Sequence, residues 1–426
     1  MARNRVIYQS EALFVGPVGG GQASVHSELH RVQSISHDMS ATRTDIFEFG
    51  RLAALDKVMI EAPTVSLDFS YLLTNGENES NIGLIVTNQS AGGPASPDSF
   101  ADGTYPNALS GIVANPGGAA DEKNYYVATV PEGADVDDDD LYDIAEDDAI
   151  YNGRSVVGFG NAVLSNYSIN GAVGDFANAS VSLEAFNVSF ISGFKSLDDD
   201  GWISGNAIPS VSKGTDSLRD GDFELPLPGT GQQNVFAIRP GDIILDFDGA
   251  ADRIDELAIG GAILPGGNDP DAVAEGATQA EPMHLQNFSI DMPLARTALN
   301  RLGSTFPYYR AIDFPLNVTM NCSALLADVS TGSLVDIMCN DEKRDIEVSL
   351  RNPCTDVSNT DGGADALKGI QSRFKLKNAQ LVSQNFSASI GDNKTVDLSF
   401  EATIGGPEDT DNGLFISGTA NNTTPS

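Results

Sequence analysis

One segment of this 426-residue chain recurs 253 positions later without a gap. Residues 33–73 align with residues 286–326, and 11 of these 41 positions are identical. A second pair of segments follows in the same order, because residues 161–185 align with residues 378–402 at an offset of 217. The chain is therefore read as two divergent copies of one domain. A fused duplicate can occupy two equivalent places in a ring, which favours assembly over catalysis as the function.

The aligned segments alternate between apolar and polar residues. Val65, Leu67, Phe69 and Tyr71 are separated by single polar residues, and the alternation recurs in 318–324, 181–185 and 398–402. A period of two predicts strands with one buried and one solvated face. In 43–55, the helical spacing of three apolar residues predicts a short helix. The expected fold is mainly β: two tandem copies of a β-sandwich or barrel domain, each with one short helix, plus long loops.

The offsets also define the domain boundaries. The segments of copy one are separated by 36 more residues than those of copy two, which predicts an acidic insertion at about 91–150, around the run 134–148. We assign copy one to 1–200, a turn-rich linker to 201–232, copy two to 233–405 and a polar C-terminal tail to 406–426. Residues 91–150 and 260–281 have no counterpart in the other copy, so they are expected to be peripheral.

Charge and hydropathy exclude several classes of function. The formal net charge is −36, from 60 acidic and 24 basic residues, so binding to nucleic-acid phosphates is not expected. Such acidity is also common for reasons of solubility alone. No apolar run approaches the roughly 20 residues that span a bilayer, so no membrane partner is expected. The N-terminus lacks the apolar core of a signal peptide.

No motif in the sequence predicts catalysis or a cofactor. His26 and His30 have the spacing of a zinc-binding helix, but the glutamate between them is Glu28 and HExxH is not formed, so we expect surface histidines. Nucleophile elbows and phosphate-binding loops are missing. Cys322 falls on the apolar face of a strand and is expected to be buried. The chain is predicted not to be an enzyme, although carboxylates far apart in sequence leave a β-rich hydrolase open.

Calcium is the metal that the acidic segments fit best. Residues 196–203 and 246–256 cluster carboxylates beside a glycine, but the twelve-residue EF-hand loop is not completed, since Ala207 stands where a glutamate is needed. Acidic turns explain these clusters equally well. No metal ligand is assigned.

Three segments resemble virion structural proteins of tailed phages: PTVSLDFSYLLTNGENESNIGL (63–84), GFGNAVLSNYSINGAVGDFANASVSLEAFNVSF (158–190) and FSASIGDNKTVDLSFEATIGGPEDTDNGLFISG (386–418). Their order is similar to that of tail tube proteins, of the type with a duplicated domain. This resemblance implies β-sandwich or barrel cores whose hairpins join into one β-barrel around a DNA channel. It also implies stacked rings of three chains with pseudo-sixfold symmetry.

The same resemblance implies where the protein acts and what it contacts. The chain would be made in the host cytoplasm and reside in the virion tail. Its partners would be further copies of itself and other tail proteins, while DNA passes without specific binding. The long acidic insertion departs from the family pattern. It leaves a capsid-decorating protein or a host-binding adhesin with calcium-ordered loops as the alternative.

Two groups of residues are candidates for function. Polar strand positions that would face a lumen are Asp68, Asn321, Glu184, Glu401 and Asp397. Charged residues that recur in both copies would form either subunit contacts or ion pairs within each domain, and they are Asp38, Arg43, Asp291 and Arg296.

Overall fold

A computed structural model describes parts of the chain between residues 11 and 418. The described residues are 11–18, 26–60, 62–88, 107–113, 121–129, 155–192, 238, 243–246, 256–259, 262–265, 284–303, 306–325, 343–351, 370–387, 393–406 and 408–418. Within them the fold is mainly β, as the sequence predicted. No helix in these ranges has the length and apolar character needed to cross a membrane.

The first half of the chain contains eleven of the described strands and both described helices. In chain order they are β1 (Glu11–Pro17), β2 (Ser27–Glu28), β3 (Val32–Ser40), β4 (Arg43–Ile46), β5 (Asp56–Met59), β6 (Thr64–Leu72), α1 (Glu77–Ile82), β7 (Val86–Asn88), α2 (Ser110–Val113), β8 (Lys123–Thr129), β9 (Ser155–Ala172), β10 (Asn178–Ala185) and β11 (Asn187–Ser192).

The second half contributes strands only, within the described residues. They are β12 (Ile243–Asp246), β13 (Glu256–Ile259), β14 (Ala262–Pro265), β15 (His284–Pro293), β16 (Arg296–Leu299), β17 (Tyr309–Ile312), β18 (Leu316–Leu325), β19 (Arg344–Arg351), β20 (Ile370–Ser387), β21 (Thr395–Ile404) and β22 (Gly413–Gly418).

Each half is built around one long strand that belongs to two layers. The first part of β9 lies between β8 and β11, and its second part pairs with β10; β20 has the same relation to β19, β22 and β21. The change of layer comes at Asn161 and Asn378, which have positive φ values of 50° and 54° and are 217 residues apart. The backbone N–H of each donates to a side chain on the neighbouring strand, Asn124 or Asp345.

The second parts of β9 and β20 belong to one continuous sheet that runs through both halves. Eight strands follow one another in the order β20-β21-β18-β15-β9-β10-β6-β3. Alternate residues of these strands pack into the core, including Leu67, Leu183, Val318 and Phe400, which confirms the phase predicted from the alternation. Cys322 is buried among them, as expected, and burial raises the pKa of its thiol to about 12.

The short helix predicted within residues 43–55 is wrong. This segment contains β4 and the turn that leads to β5, and the two strands form an antiparallel hairpin in which Arg43 lies opposite Met59. The helical spacing of Ile46, Phe49 and Ala53 is not used for burial, because Phe49 is fully exposed at the hairpin tip. Gly50 follows with a φ of 93°, a left-handed conformation that interrupts a helix.

The predicted peripheral position of residues 91–150 is wrong for the part that the structure describes. It contains α2 and β8, and β8 is a buried strand paired with both β1 and β9. Its counterpart in the other half is β19, so β8 belongs to the domain core. The acidic run 134–148 and the proposed linker lie outside the described residues. Within 260–281, the described residues form β14.

Helix α1 fixes the connection after β6 through buried polar contacts. Tyr71 and Tyr167 donate hydrogen bonds of 2.8 and 3.1 Å to the carboxyl of Glu79, and burial raises the pKa of that carboxyl. Asn78 exchanges two hydrogen bonds with the backbone of His30. These contacts hold the segment that leads to β7, which lies against the other half of the chain.

Candidate assembly surfaces

The two halves meet where β15 adds to the free edge of β9. The pairing is antiparallel and continuous from Asn287, opposite Ala172, to Pro293, opposite Asn166. Backbone hydrogen bonds extend it at both ends, from Val173 N to Gln286 O (2.9 Å) and from Leu294 N to Ser165 O (2.9 Å). The apolar residues of β15 are buried against the core at this junction. The junction is therefore a strand addition between the two halves of the chain.

A hairpin beside the junction adds side-chain contacts. Arg296 on β16 donates to the carbonyl of Leu164 (2.9 Å) and forms a buried ion pair with Asp121 (2.9 Å) of the first half. Arg310 on β17 forms an ion pair with Glu184 and lies over the ring of Phe186. The hairpin β16–β17 is thus packed against the half of the chain to which it does not belong.

The two outermost strands of the eight-stranded sheet match the two sides of this junction. Within the described residues, β3 pairs with β6 alone, and the second part of β20 pairs with β21 alone. Strand β3 is the counterpart of β15, and β20 is the counterpart of β9. One end of the sheet therefore exposes β3, which corresponds to the strand β15 that adds at the junction. The other end exposes β20, which corresponds to the strand β9 to which β15 adds.

Equivalent residues of the two halves differ in solvent exposure, as expected if the edges of β3 and β20 are junctions that no strand yet occupies. Met292 is completely buried at 0%, whereas its counterpart Met39 on β3 is 58% exposed. Ile169 is also buried at 0%, whereas its counterpart Phe386 on β20 is 42% exposed. The same apolar positions are covered inside the chain and uncovered at its two ends, which is the pattern of an interaction surface.

The hairpin β4–β5 is the counterpart of β16–β17, and among the residues that the structure describes it has no such packing. Its residues are exposed throughout, including Ile46, Phe47, Val58 and Ile60. At the tips, Phe49 and its counterpart Leu302 are both fully exposed, each before a glycine with positive φ. The tip of the packed hairpin β16–β17 is therefore exposed as well, so Leu302 does not take part in the junction between the halves.

The solvated face of the eight-stranded sheet is acidic. Strand pairing places on this one face the residues that alternate with the core, mostly Ser, Thr and Asn. It includes no Lys or Arg from the eight strands. The carboxylates on it are Asp38, Asp68, Glu184, Asp291, Asp397 and Glu401.

The lumen candidates all lie on this face, but their surroundings differ. Asp68, Asn321 and Asp397 are exposed. Glu184 is held by Arg310 at the junction, so its charge is offset. Glu401 occupies the position that corresponds to Glu184 in the second half.

Of the recurrent charged residues, Asp291 lies on β15 opposite Ser168, and its counterpart Asp38 lies on the open strand β3. Within the described residues the carboxylate partner of Arg296 is Asp121, not Asp291. Arg43, the counterpart of Arg296, is exposed on the open hairpin.

The predicted surface position of His26 and His30 is wrong, because both are buried. The His26 ring packs edge-on against Tyr126 at 5.5 Å, and His30 lies 3.4 Å from Glu77. No group of three or more His, Cys, Asp or Glu suited to a metal occurs within the ranges that the structure describes. The acidic segments 196–203 and 246–256 lie outside those ranges, except for Asp246 on β12 and Glu256 on β13.

Comparison with known proteins finds distant structural neighbours, among them the following two. No protein-family model and no curated protein matches the chain. A chain from the virion of a native gene transfer agent particle aligns with 12% identity and a TM-score of 0.19, covering 43% of this chain and 98% of that one. A crystal structure of Hcp protein aligns with 10% identity and a TM-score of 0.17, covering 41% and 98%.

Proposed function

We propose that this chain is a structural subunit of a virion tail tube, which assembles with itself and performs no catalysis. Three chains form a ring in which β3 of each chain adds to β20 of the next. The rings stack around a channel through which DNA passes without specific binding. The protein would be made in the host cytoplasm and act in the tail beside other tail proteins.

The junction between β15 and β9 is the observation that carries this proposal. Subtracting 253 from the residue numbers of β15 and adding 217 to those of β9 gives the register expected between the open edges of β3 and β20. Ser36 of one chain then lies opposite Ser387 of the next, as Ser289 lies opposite Asn170 within the chain. Lys57, the counterpart of Arg310, then faces Glu401 of the next chain. In the isolated chain Lys57 is instead 3.2 Å from Asp45, an exposed pair that is easily exchanged.

Head-to-tail contacts of this kind close into a ring when the rotation permits it. Three chains contribute six similar domains and 24 strands to one barrel, eight from each chain. At about 4.8 Å between strands, the circumference is about 115 Å before strand tilt, and the backbone diameter is about 37 Å. Barrels of 16 to 18 strands already enclose an aqueous channel, so this barrel would have an open lumen.

The acidic face of the sheet suits the inside of that lumen. A Lys or Arg facing DNA would release counterions and bind it, whereas carboxylates repel it. The channel would be lined by Asp68, Asp291 and Asp397, with Asn321 between them. Glu184 would form its ion pair at the junction within each chain, and Glu401 would form the corresponding pair between chains. The exposed hairpin tips fit a different contact, from ring to ring, since Leu302 stays uncovered although its hairpin is packed within the chain.

Cysteines at Ser36 and Ser387 should form a disulfide between chains in the assembled protein. Residues directly opposite in an antiparallel pair have Cα atoms about 4.5 or 5.5 Å apart, within disulfide range. The background would carry Cys339→Ser and Cys354→Ser and keep the buried Cys322. On a non-reducing gel the cross-linked species should extend to three chains and stop there.

The control pair is Ser36→Cys with Ser383→Cys, which the proposed register separates by four residues. Cross-linking of the control but not of the test pair would contradict the register. A ladder that continues beyond three chains would contradict the trimeric ring, and no cross-linking in either pair would contradict the strand addition itself.

Replacing Phe49 and Leu302 together with aspartate should leave single rings that do not stack. Both side chains are fully exposed in the chain, so the substitutions should change the free energy of unfolding by less than about 0.5 kcal/mol. Each stacked interface would lose six apolar tips and gain six charges. Electron microscopy should show isolated rings in place of tubes; tubes of normal length would remove these tips from the contact between rings.

A further inference from the structure

Different connections leave the two ends of the eight-stranded sheet. The hairpins β4–β5 and β16–β17 leave at the end where Thr64 and Pro293 lie, and Pro293 is opposite Asn166 of β9. The connections from β9 to β10 and from β20 to β21 leave at the other end, where Ala172 of β9 is opposite Asn287. The two ends are about 20 Å apart along β9.

The turn between β9 and β10 presents apolar side chains to solvent. Val173 is 66% exposed and Phe176 is 46% exposed, although the adjacent Ala177 is completely buried. Gly174 has a φ of 90°, and the exposed carboxylate of Asp175 accepts a hydrogen bond from the Phe176 N–H (2.8 Å). The turn is therefore an apolar surface with one carboxylate beside it.

The connection before β21 is the counterpart of this turn and has a different character. Asn393 and Lys394 occupy the positions of Phe176 and Ala177, 217 residues later, and both are exposed. The Lys394 ammonium lies 5.7 Å from the centre of the Phe386 ring. The described part of this connection is thus polar and basic.

The two hairpin tips, 47–51 and 299–303, also differ in charge. Arg301 precedes Leu302 in one tip, whereas its counterpart Glu48 precedes Phe49 in the other, and all four side chains are exposed. The tip of β4–β5 also contains Arg51, which balances the charge of Glu48. Only the tip of β16–β17 therefore carries a net positive charge.

We infer that the tip of β16–β17 contacts the turn between β9 and β10 of a second copy of this chain in the next ring. This inference rests on the proposed tube. A stack of identical rings that grows in one direction joins unlike ends, so the hairpin end of one ring meets the turn end of the next. Leu302 would cover Phe176, and Arg301 would approach Asp175.

Charge selects this pairing over the one that is rotated by a single domain. In the selected pairing, the tip of β4–β5 meets the connection before β21, and Glu48 approaches Lys394. After rotation by one domain, Arg301 would face Lys394 and Glu48 would face Asp175, so both contacts would join like charges. Stacked rings should therefore rotate relative to one another by whole chains, not by single domains.

Photo-cross-linking in tubes of the full-length protein tests this inference. A benzophenone side chain in place of Phe176 should attach to residues 299–303 of another chain, as identified by mass spectrometry on mixed isotopically labelled and unlabelled chains. The same side chain in place of Asn393 is the matched control and should attach to residues 47–51. Attachment of both probes to the same tip, or attachment of the Phe176 probe to neither tip, would overturn the inference.

Charge reversal gives a second measurement. Asp175→Arg should lower the association constant between rings by at least about tenfold, because each interface would exchange three ion pairs for three like-charge contacts. Adding Arg301→Asp should restore tubes, whereas adding Arg51→Asp, at the other tip, is the control and should not. Normal tubes from Asp175→Arg alone, or restoration by Arg51→Asp in place of Arg301→Asp, would contradict the pairing.

The disulfide between cysteines at positions 36 and 387 separates failure of this inference from failure of the ring. If that disulfide joins three chains but the Phe176 probe attaches to neither tip, the ring stands and the inference is overturned. If the disulfide does not form, both proposals fall.

Discussion

Met39→Asp should abolish ring formation and leave a folded chain, whereas Met292→Asp should unfold it. The two methionines occupy the same position of equivalent strands, but Met39 is exposed on the open edge and Met292 is fully buried at the junction. A carboxylate at Met292 would be buried without a partner, at a cost of about 3–5 kcal/mol. At Met39 the carboxylate stays in water until a neighbouring chain covers it, so the cost should fall below about 1 kcal/mol.

Two measurements separate these effects. Denaturant unfolding should give Met39→Asp a free energy of unfolding close to that of the wild type, and sedimentation should find it monomeric at concentrations where the wild type forms rings. Met39→Leu is the control and should still assemble. If Met39→Asp forms rings of normal stability, β3 is not an assembly edge. If instead it unfolds, Met39 is covered within the chain itself.

The alternation of residues was sufficient to predict the strands of the aligned segments and their buried faces. It was sufficient because a strand period of two is a local property, and a slip of one residue would expose the core face. The hairpin β4–β5 was missed because the periodicity of apolar residues reports structure only where those residues are buried. Its apolar residues follow helical spacing by chance, since they are exposed and no burial selects their period.

The candidate assembly surfaces depend on contacts between residues far apart in the sequence, which local sequence patterns do not predict. Met39 and Met292 are identical residues within aligned segments, yet only pairing with β9 buries one of them. Arg296 contacts Asp121, 175 positions away, and Thr87 contacts Ile416, 329 positions away. Neither partner is marked by a motif. The acidic face was partly predictable, because alternation identifies the polar positions, but the ion pair of Glu184 with Arg310 required the packed hairpin.

Reversing charges on the acidic face of the sheet should change how the assembled tube interacts with DNA. Asp68→Lys with Asp397→Lys should leave rings and tubes intact and convert a surface that repels DNA into one that binds it. Both residues are exposed on the same sheet face, away from the apolar core. Each ring of three chains would change by about 12 charge units at its channel. At 0.15 M salt the Debye length is about 8 Å, so only DNA inside or beside the channel would feel this change.

Assembly in the presence of short duplex DNA locates the effect. The variant should form tubes that retain DNA and protect it from nuclease, and the retained fraction should fall steeply between about 50 and 200 mM salt, because binding by counterion release depends on salt. Glu408→Lys with Asp411→Lys is the control, since both are exposed in the loop between β21 and β22 rather than on the polar face. Control tubes should bind DNA without protecting it. If DNA bound to the Asp68 and Asp397 variant is digested as fast as DNA bound to the control, the acidic face does not line an enclosed channel, and the carboxylates serve the outer surface instead.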